Sequence, residues 1–157
     1  MELPPFQLLL DRYSHDVHRF LIANVGITDA DDCYQETWIS ALRAYPHLQH
    51  ATNLRGWLLT IAARKAIDLH RARGRAAVTM ADLPEHGHVD RPDDDPVWEA
   101  VARLPPKQRA AVVLRFLLDA EYATVAASMG ISEAAARRNV HEGLSRLRKG
   151  HGYEWTA

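Results

Sequence analysis

Along most of the chain, apolar residues recur at steps of three and four, the period that sets one face of an α-helix against a core. Phe6, Leu9, Leu10, Tyr13, Val17, Phe20 and Leu21 trace a first amphipathic helix, which Gly26 ends. Tyr34, Trp38, Ala41, Leu42 and Tyr45 share a face of a second helix, capped by Thr28 or Asp29 and stopped by Pro46. Asp31, Asp32, Gln35 and Glu36 crowd its first turns. Beyond a short polar loop, His47 to Asn53, a third helix packs Leu54, Leu58, Ile61, Ala62 and Leu69 inward. No convincing strand interrupts this pattern, so an all-α fold is expected.

The C-terminal part carries the same period in a tighter form, from Glu121 to Lys149, EYATVAASMGISEAAARRNVHEGLSRLRK. Val125, Ala126 and Met129 mark one helix, and Gly130 follows where a left-handed residue ends a helix cheaply. Ile131 plugs the angle, and Ser132 is a good N-cap for a second helix with Glu133 in its first turn. Ala136, Val140, Leu144 and Leu147 form its apolar stripe. The opposite face collects Ala134, Arg138, His141, Glu142, Ser145 and Lys149, with Arg137 and Arg148 on the flank. This is the layout of a helix-turn-helix, whose second helix enters the DNA major groove. An ordinary helical hairpin with a solvated charged face has the same local pattern, so the reading depends on its context.

A net charge of −1 over 157 residues speaks against nucleic acid only if it is evenly spread, and it is not. Residues 1–78 hold nine Lys/Arg and eight Asp/Glu, residues 79–97 one and six, and residues 98–157 nine and six. Two neutral or basic parts therefore flank an acidic joint, TMADLPEHGHVDRPDDDPV, rich in Pro, Gly and Asp and poor in large apolar residues. The expected organisation is two small helical domains, 1–78 and 98–150, a flexible acidic linker over 79–97, and a tail over 151–157. His86 and His88 lack a third metal ligand and receive no role. A single cysteine, Cys33, excludes an internal disulfide. The start of the chain has no basic n-region, and no apolar run approaches a membrane span, so a cytoplasmic location is expected. No Gly-rich phosphate loop, metal cluster or nucleophile constellation points to an enzyme, a cofactor or a small-molecule substrate.

On the third helix, Arg64, Asp68, Arg71 and Arg75 recur at four- and three-residue steps with Lys65 and Arg73 close by. With a second basic helical unit in the same chain, this stripe favours contact with a nucleic-acid backbone.

Together these segments resemble an extracytoplasmic-function sigma factor over nearly the whole chain. DADDCYQETW, Asp29 to Trp38, is similar to the family's D-A-E-D and Q-E-T-[FW] run. Trp57 to Asp68 resembles its W-L-x-x-I-A and A-I-D segment, and Leu104 to Phe116 the start of its second domain. The helix-turn-helix completes the order.

The resemblance implies a promoter-recognition subunit of bacterial RNA polymerase, with catalysis left to the core enzyme. It assigns core docking to Asp31, Asp32, Gln35 and Glu36, where opposite charges would orient the encounter. Capture of the non-template strand at the proximal, −10 element falls to His47, Gln49, His50, Thr52 and Asn53 for bases and to Arg64, Lys65, Arg71 and Arg75 for phosphates. Ser132, Arg137, Arg138, His141 and Glu142 would meet the distal, −35 element. Trp57 is assigned to the core rather than to strand separation. Partners are then core polymerase, promoter DNA and, as for many members, an anti-sigma factor.

Two features depart from the family. Asn139 and Glu142 stand where many members are basic, and a glutamate beside a phosphate opposes binding, although it can accept from a cytosine amino group. A stand-alone helix-turn-helix regulator and a degenerate sigma-like interaction module therefore stay open.

Overall fold

The computed structural model describes residues 2–49, 51–79 and 96–151; of residues 75–79, 96, 98, 150 and 151 only the helical backbone is described. Seven α-helices account for nearly all of it: α1 (Phe6–Val25), α2 (Ile27–Ala44), α3 (Leu54–Thr79), α4 (Pro96–Ala102), α5 (Pro106–Val112), α6 (Tyr122–Met129) and α7 (Glu133–His151). A 3₁₀ turn, Tyr45–His47, extends α2, and a π-helical turn, Val113–Leu117, extends α5. No strand occurs among the described residues. Most of the predicted acidic linker, residues 80–95, lies outside the described residues, and its predicted ends belong to α3 and α4. No described helix is long and apolar enough to cross a membrane.

Gly26 makes the first corner. Its φ of 85° suits a residue without a side chain, and it both closes α1, through its N–H to the Ile22 carbonyl, and serves as N-cap of α2. This corrects the predicted cap at Thr28 or Asp29: α2 starts earlier, and Asp29 forms an ion pair with Arg73 of α3. Leu9, Val17, Phe20, Leu21, Ala30, Trp38 and Ala41 enter the core as the periodicity predicts. Leu42 does not; it is 56% exposed, because at 100° per residue it falls on the arc of Asp31 and Gln35, to one side of the buried Trp38, Ala41 and Tyr45. An aromatic cluster closes this end, with Phe6 edge-on to Trp38 at 5.8 Å and Tyr45 beside Phe6 at 5.3 Å and Trp57 at 6.1 Å. Trp57 is thus packing, as predicted.

In the second domain, α6 ends in the expected left-handed Gly130 (φ 66°), with Ile131 N–H to the Ala126 carbonyl and Gly130 N–H to the Ala127 carbonyl. Ser132 Oγ accepts from Ala135 N–H at 3.1 Å and starts α7. Ala136, Val140, Leu144 and Leu147 are all buried. α5 and α7 approach closely at Gly143, where an added methyl would meet Val112 at 2.7 Å.

α3 joins the two domains because it has three faces. Leu58 and Ala62 point into α1 and α2, yet Leu59, Ala63 and Ala66, about 100° around the helix, are equally buried. Arg55, Thr60 and His70 border this second arc, and each touches the second domain. α6 lies along it. Two arginines bolt the contact reciprocally. Arg55 of α3, paired with Asp16 at 2.9 Å, donates to the Leu118 carbonyl at 2.6 Å, where the chain leaves its π turn through Asp119 (φ 52°). Arg109 of α5, itself buried, donates to the Asn24 carbonyl at the end of α1 at 2.5 Å and also to the Ala102 and Leu104 carbonyls. Carbonyls at helix ends lack helical partners and carry the negative end of the dipole, so they suit a guanidinium. Losing one such buried partner costs roughly 1–3 kcal/mol per stranded group.

His70 Nε2 sits 2.8 Å from the same Asn24 carbonyl and 3.1 Å from Arg109 Nη1. Burial lowers its pKa, Arg109 lowers it further, the Asn24 carbonyl raises it, and Arg73 and Asp29 act weakly in opposite senses. A histidine whose pKa is lowered by packing holds fewer protons packed than separated. The contact is therefore intact above the ordinary value of about 6.5 and weakens as pH falls below it. Calorimetric melting should show a lower midpoint at pH 5.5 than at pH 7.5, and H70Q should flatten that dependence.

Candidate nucleic-acid interface

Three surfaces emerge from helices whose other faces are already occupied. The first is the outer arc of α2. Asp31, Asp32, Gln35 and Glu36 are all exposed there, with Asp31 3.5 Å from His18. Stepping 100° per residue, Ile39 and Leu42 fall within the same arc, and they are 50% and 56% exposed. The acidic turns thus run directly into an apolar end. Periodicity missed this because Leu42 sits one step from the true core stripe; the signal available was Ile39, which no core face could accommodate together with Trp38 and Ala41. Behind the arc, burial and then Glu36, Asp29 and Asp32 raise the Cys33 thiol, keeping it protonated.

The second surface is the loop before α3 and that helix's outward face. His47, Gln49 and Thr52 are exposed, and His50 lies outside the described residues. Asn53 is exposed but half engaged: its Oδ1 accepts from Gly56 N–H at 3.0 Å, capping α3, which leaves the amide nitrogen as its donor. Arg64 and Arg71 are exposed, and Lys65 is half-buried. Arg64, Asp68 and Arg71 share the third face of α3, turned away from both domains; the side chain of Arg75 lies outside the described residues. Arg73 leaves this stripe for Asp29.

The third surface is the outer face of α7, where Arg137, Arg138, His141 and Glu142 are exposed. Several of these side chains are held by neighbours. Arg137 pairs with Glu133 at 3.0 Å and lies 4.4 Å over the Tyr122 ring. Glu142 accepts from Gln108 of α5 at 3.2 Å, and Asn139 donates to the Ala135 carbonyl at 3.0 Å. The two residues that departed from the family are therefore drawn back onto the protein. Ser132 uses its oxygen as a cap. Arg115, 4.9 Å over Tyr122, adds a cation from outside the helix that sequence reading did not single out. Among the described residues no group of His, Cys, Asp and Glu could hold a metal ion.

Because Asn53 and Ser132 both cap helices, substitution mixes stability with recognition. S132A should cost about 1 kcal/mol in urea unfolding. N53D should keep the cap and the stability but lose the amide donor, so single-stranded DNA binding, measured by anisotropy, should fall while the urea midpoint holds.

Two family models match the chain, Sigma-70 region 2 over residues 9–76 and Sigma-70 region 4 over residues 94–147. The ECF RNA polymerase sigma factor SigE of Mycolicibacterium smegmatis is 31% identical over 93% of this chain and 61% of its own length. BldN of Streptomyces coelicolor, also an ECF RNA polymerase sigma factor, is 33% identical over 87% of this chain and 56% of its own length. The chain thus spans a little over half of these two relatives. SigX of Bacillus subtilis is 30% identical over 92% of this chain and 82% of its own. Of solved structures, the sigma factor RpoE of Bartonella quintana, in complex with the anti-sigma factor NepR, superposes with a TM-score of 0.78 at 22% identity, covering 96% of this chain and 98% of that one. CnrH, in complex with the cytosolic domain of CnrY, gives 0.69 at 23% identity, covering 92% and 85%. These two share the fold. With both sigma regions in order and a relative matched over most of its length, the chain belongs to the ECF family of RNA polymerase sigma factors.

Proposed function

We propose that this protein binds core RNA polymerase and directs promoter-specific initiation. The observation that carries this reading is the outer arc of α2, which supplies steering charge and apolar anchors on one solvent-facing surface. Asp31, Asp32, Gln35 and Glu36 orient the encounter with a basic surface of the core, and Ile39 and Leu42 bury apolar area once docked. Full burial of two such side chains contributes about 1.5–3 kcal/mol each.

The loop His47 to Asn53 then receives flipped bases of the non-template strand at the proximal element, while Arg64, Lys65 and Arg71 follow its phosphates. Arg75 continues that stripe in sequence. At the distal element Arg138 and His141 read the groove, and Arg137 exchanges Glu133 for a phosphate. The chain itself performs no bond chemistry; the core supplies that. A clamping anti-sigma factor is a fitting regulator, since the fold matches that of the sigma factor RpoE, solved in complex with the anti-sigma factor NepR.

One observation favours a second reading. Glu142 and Asn139 are held by Gln108 and the Ala135 carbonyl, so α7 offers few donors to bases. That suits an interaction module that binds polymerase or an anti-sigma factor without reading a distal element.

Abortive initiation by purified core polymerase, with and without the protein, on a pool of promoter DNA separates these. Sequence-specific products that depend on the protein establish the sigma activity; tight core binding without products supports the interaction module; absence of core binding overturns both. I39A/L42A should weaken core binding at least tenfold, about 1.4 kcal/mol, with an unchanged circular dichroism spectrum. R138A should relax distal-element preference.

A further inference from the structure

Glu142 is exposed on the outward face of α7 beside Arg138 and His141, whose reading of the groove leaves it without a task. A carboxylate there repels phosphates, so a loose glutamate would lower DNA affinity and read nothing. This one is not loose. Gln108 Nε2 donates to Glu142 Oε2 at 3.2 Å, from an α5 side chain that is itself buried. The i, i+4 spacing would let Arg138 take the carboxylate instead, yet among the described residues no ion pair joins the two.

The bridge has a fixed direction. Of the two ends of the Gln108 amide, only the NH2 end can face a carboxylate. The other end, Oε1, is buried and meets no donor among the described residues, so the placement of Gln108 is not explained by its own hydrogen bonding. Gly143 lets α5 come close enough for the amide to reach: an added Cβ there would meet the Val112 side chain at 2.7 Å and the Gln108 carbonyl at 3.5 Å. A carboxylate offers about four acceptor sites, and the bridge takes one at Oε2, leaving Oε1 to an outside donor. In the major groove that donor is the cytosine N4 amino group. Guanine and thymine present acceptors there, and the adenine amino group lies beside the N7 acceptor, which repels a carboxylate.

We infer that Glu142 is a specificity determinant and Gln108 its positioning residue: held by Gln108, the Glu142 carboxylate accepts from a cytosine amino group of the distal element. This rests on the sigma-factor reading. α7 offers few donors to bases, and an acceptor needs none of them. Because the bridge already restricts its rotamers, Glu142 loses little side-chain freedom on meeting the base. Glu142 thus selects sequence where a phosphate-binding cation would add affinity for any sequence.

Core polymerase carrying the protein, mixed with a pool of promoter duplexes randomised across the distal element, is scored twice, for DNA retained and for abortive products. The parent chain should enrich cytosine at one position by about fivefold or more. N4-methylcytosine at that position, which keeps the pair with guanine but replaces the free amino hydrogen, should abolish the enrichment. E142A should lose the preference at that position alone, and E142Q, whose amide matches adenine N6 and N7, should shift it to adenine. Q108A keeps Glu142 yet should lose most of the cytosine preference, with the other positions and the helical content unchanged, a result that a purely structural bridge between α5 and α7 does not give. An E142A variant that selects the parental sequence overturns the specificity role, and a Q108A variant that does so overturns the positioning role. Cytosine-dependent retention without abortive products supports the inference and overturns the sigma-factor reading alone; abortive products without a cytosine preference do the reverse; no DNA retained overturns both.

Discussion

α3 must satisfy three environments at once, and the rest of the molecule is arranged around that demand. One face completes the core of α1 and α2, one receives α6, and one carries cations to solvent. A helix buried on a single side can trade neighbours freely, but one buried on two sides transmits the position of each domain to the other. The alanines make this possible: Ala62, Ala63 and Ala66 let two layers approach one helix without the volume that leucines would add.

A buried guanidinium holds this arrangement in register. Arg109 reaches carbonyls from the second domain and from the end of α1, so its charge is hydrogen-bonded rather than stranded. His70 shares the Asn24 carbonyl and brings a titratable group to a place where positive charge is already present. Polar contacts to main chain are directional and replaceable by water, in contrast to the apolar interiors of the two domains. The domains are therefore coupled by polar bonds to main chain in addition to the apolar packing of Leu59, Ala63 and Ala66.

The same economy shapes the candidate interfaces. Asn53 and Ser132 cap α3 and α7, so the start of each helix that carries a candidate surface is fixed by a side chain that also faces solvent. On α7, Glu142 accepts from Gln108 yet stays exposed on the outward face. On α2, the acidic turns and the apolar end form one surface because residues seven and eight apart return to nearly the same side of a helix.

Periodicity determined α1, α2, α3, α6, α7 and the buried stripe of α7, and residue type the αL turn at Gly130 and the cap at Ser132, because each depends on residues within one or two turns; the short helices α4 and α5 were not read from the sequence. Motif order was enough to recognise both sigma regions, and the outward position of Asp31, Asp32, Gln35 and Glu36 followed from polarity. Three things were settled only by tertiary structure. Leu42 turns outward because the aromatic cluster of Phe6, Trp38 and Tyr45 sets the roll of α2. Gly26 replaces Thr28 or Asp29 as the cap because Asp29 finds Arg73 across the domain. Arg55 and Arg109 join the domains because their acceptors are main-chain carbonyls 63 and 85 residues away, and carbonyls leave no mark in a sequence.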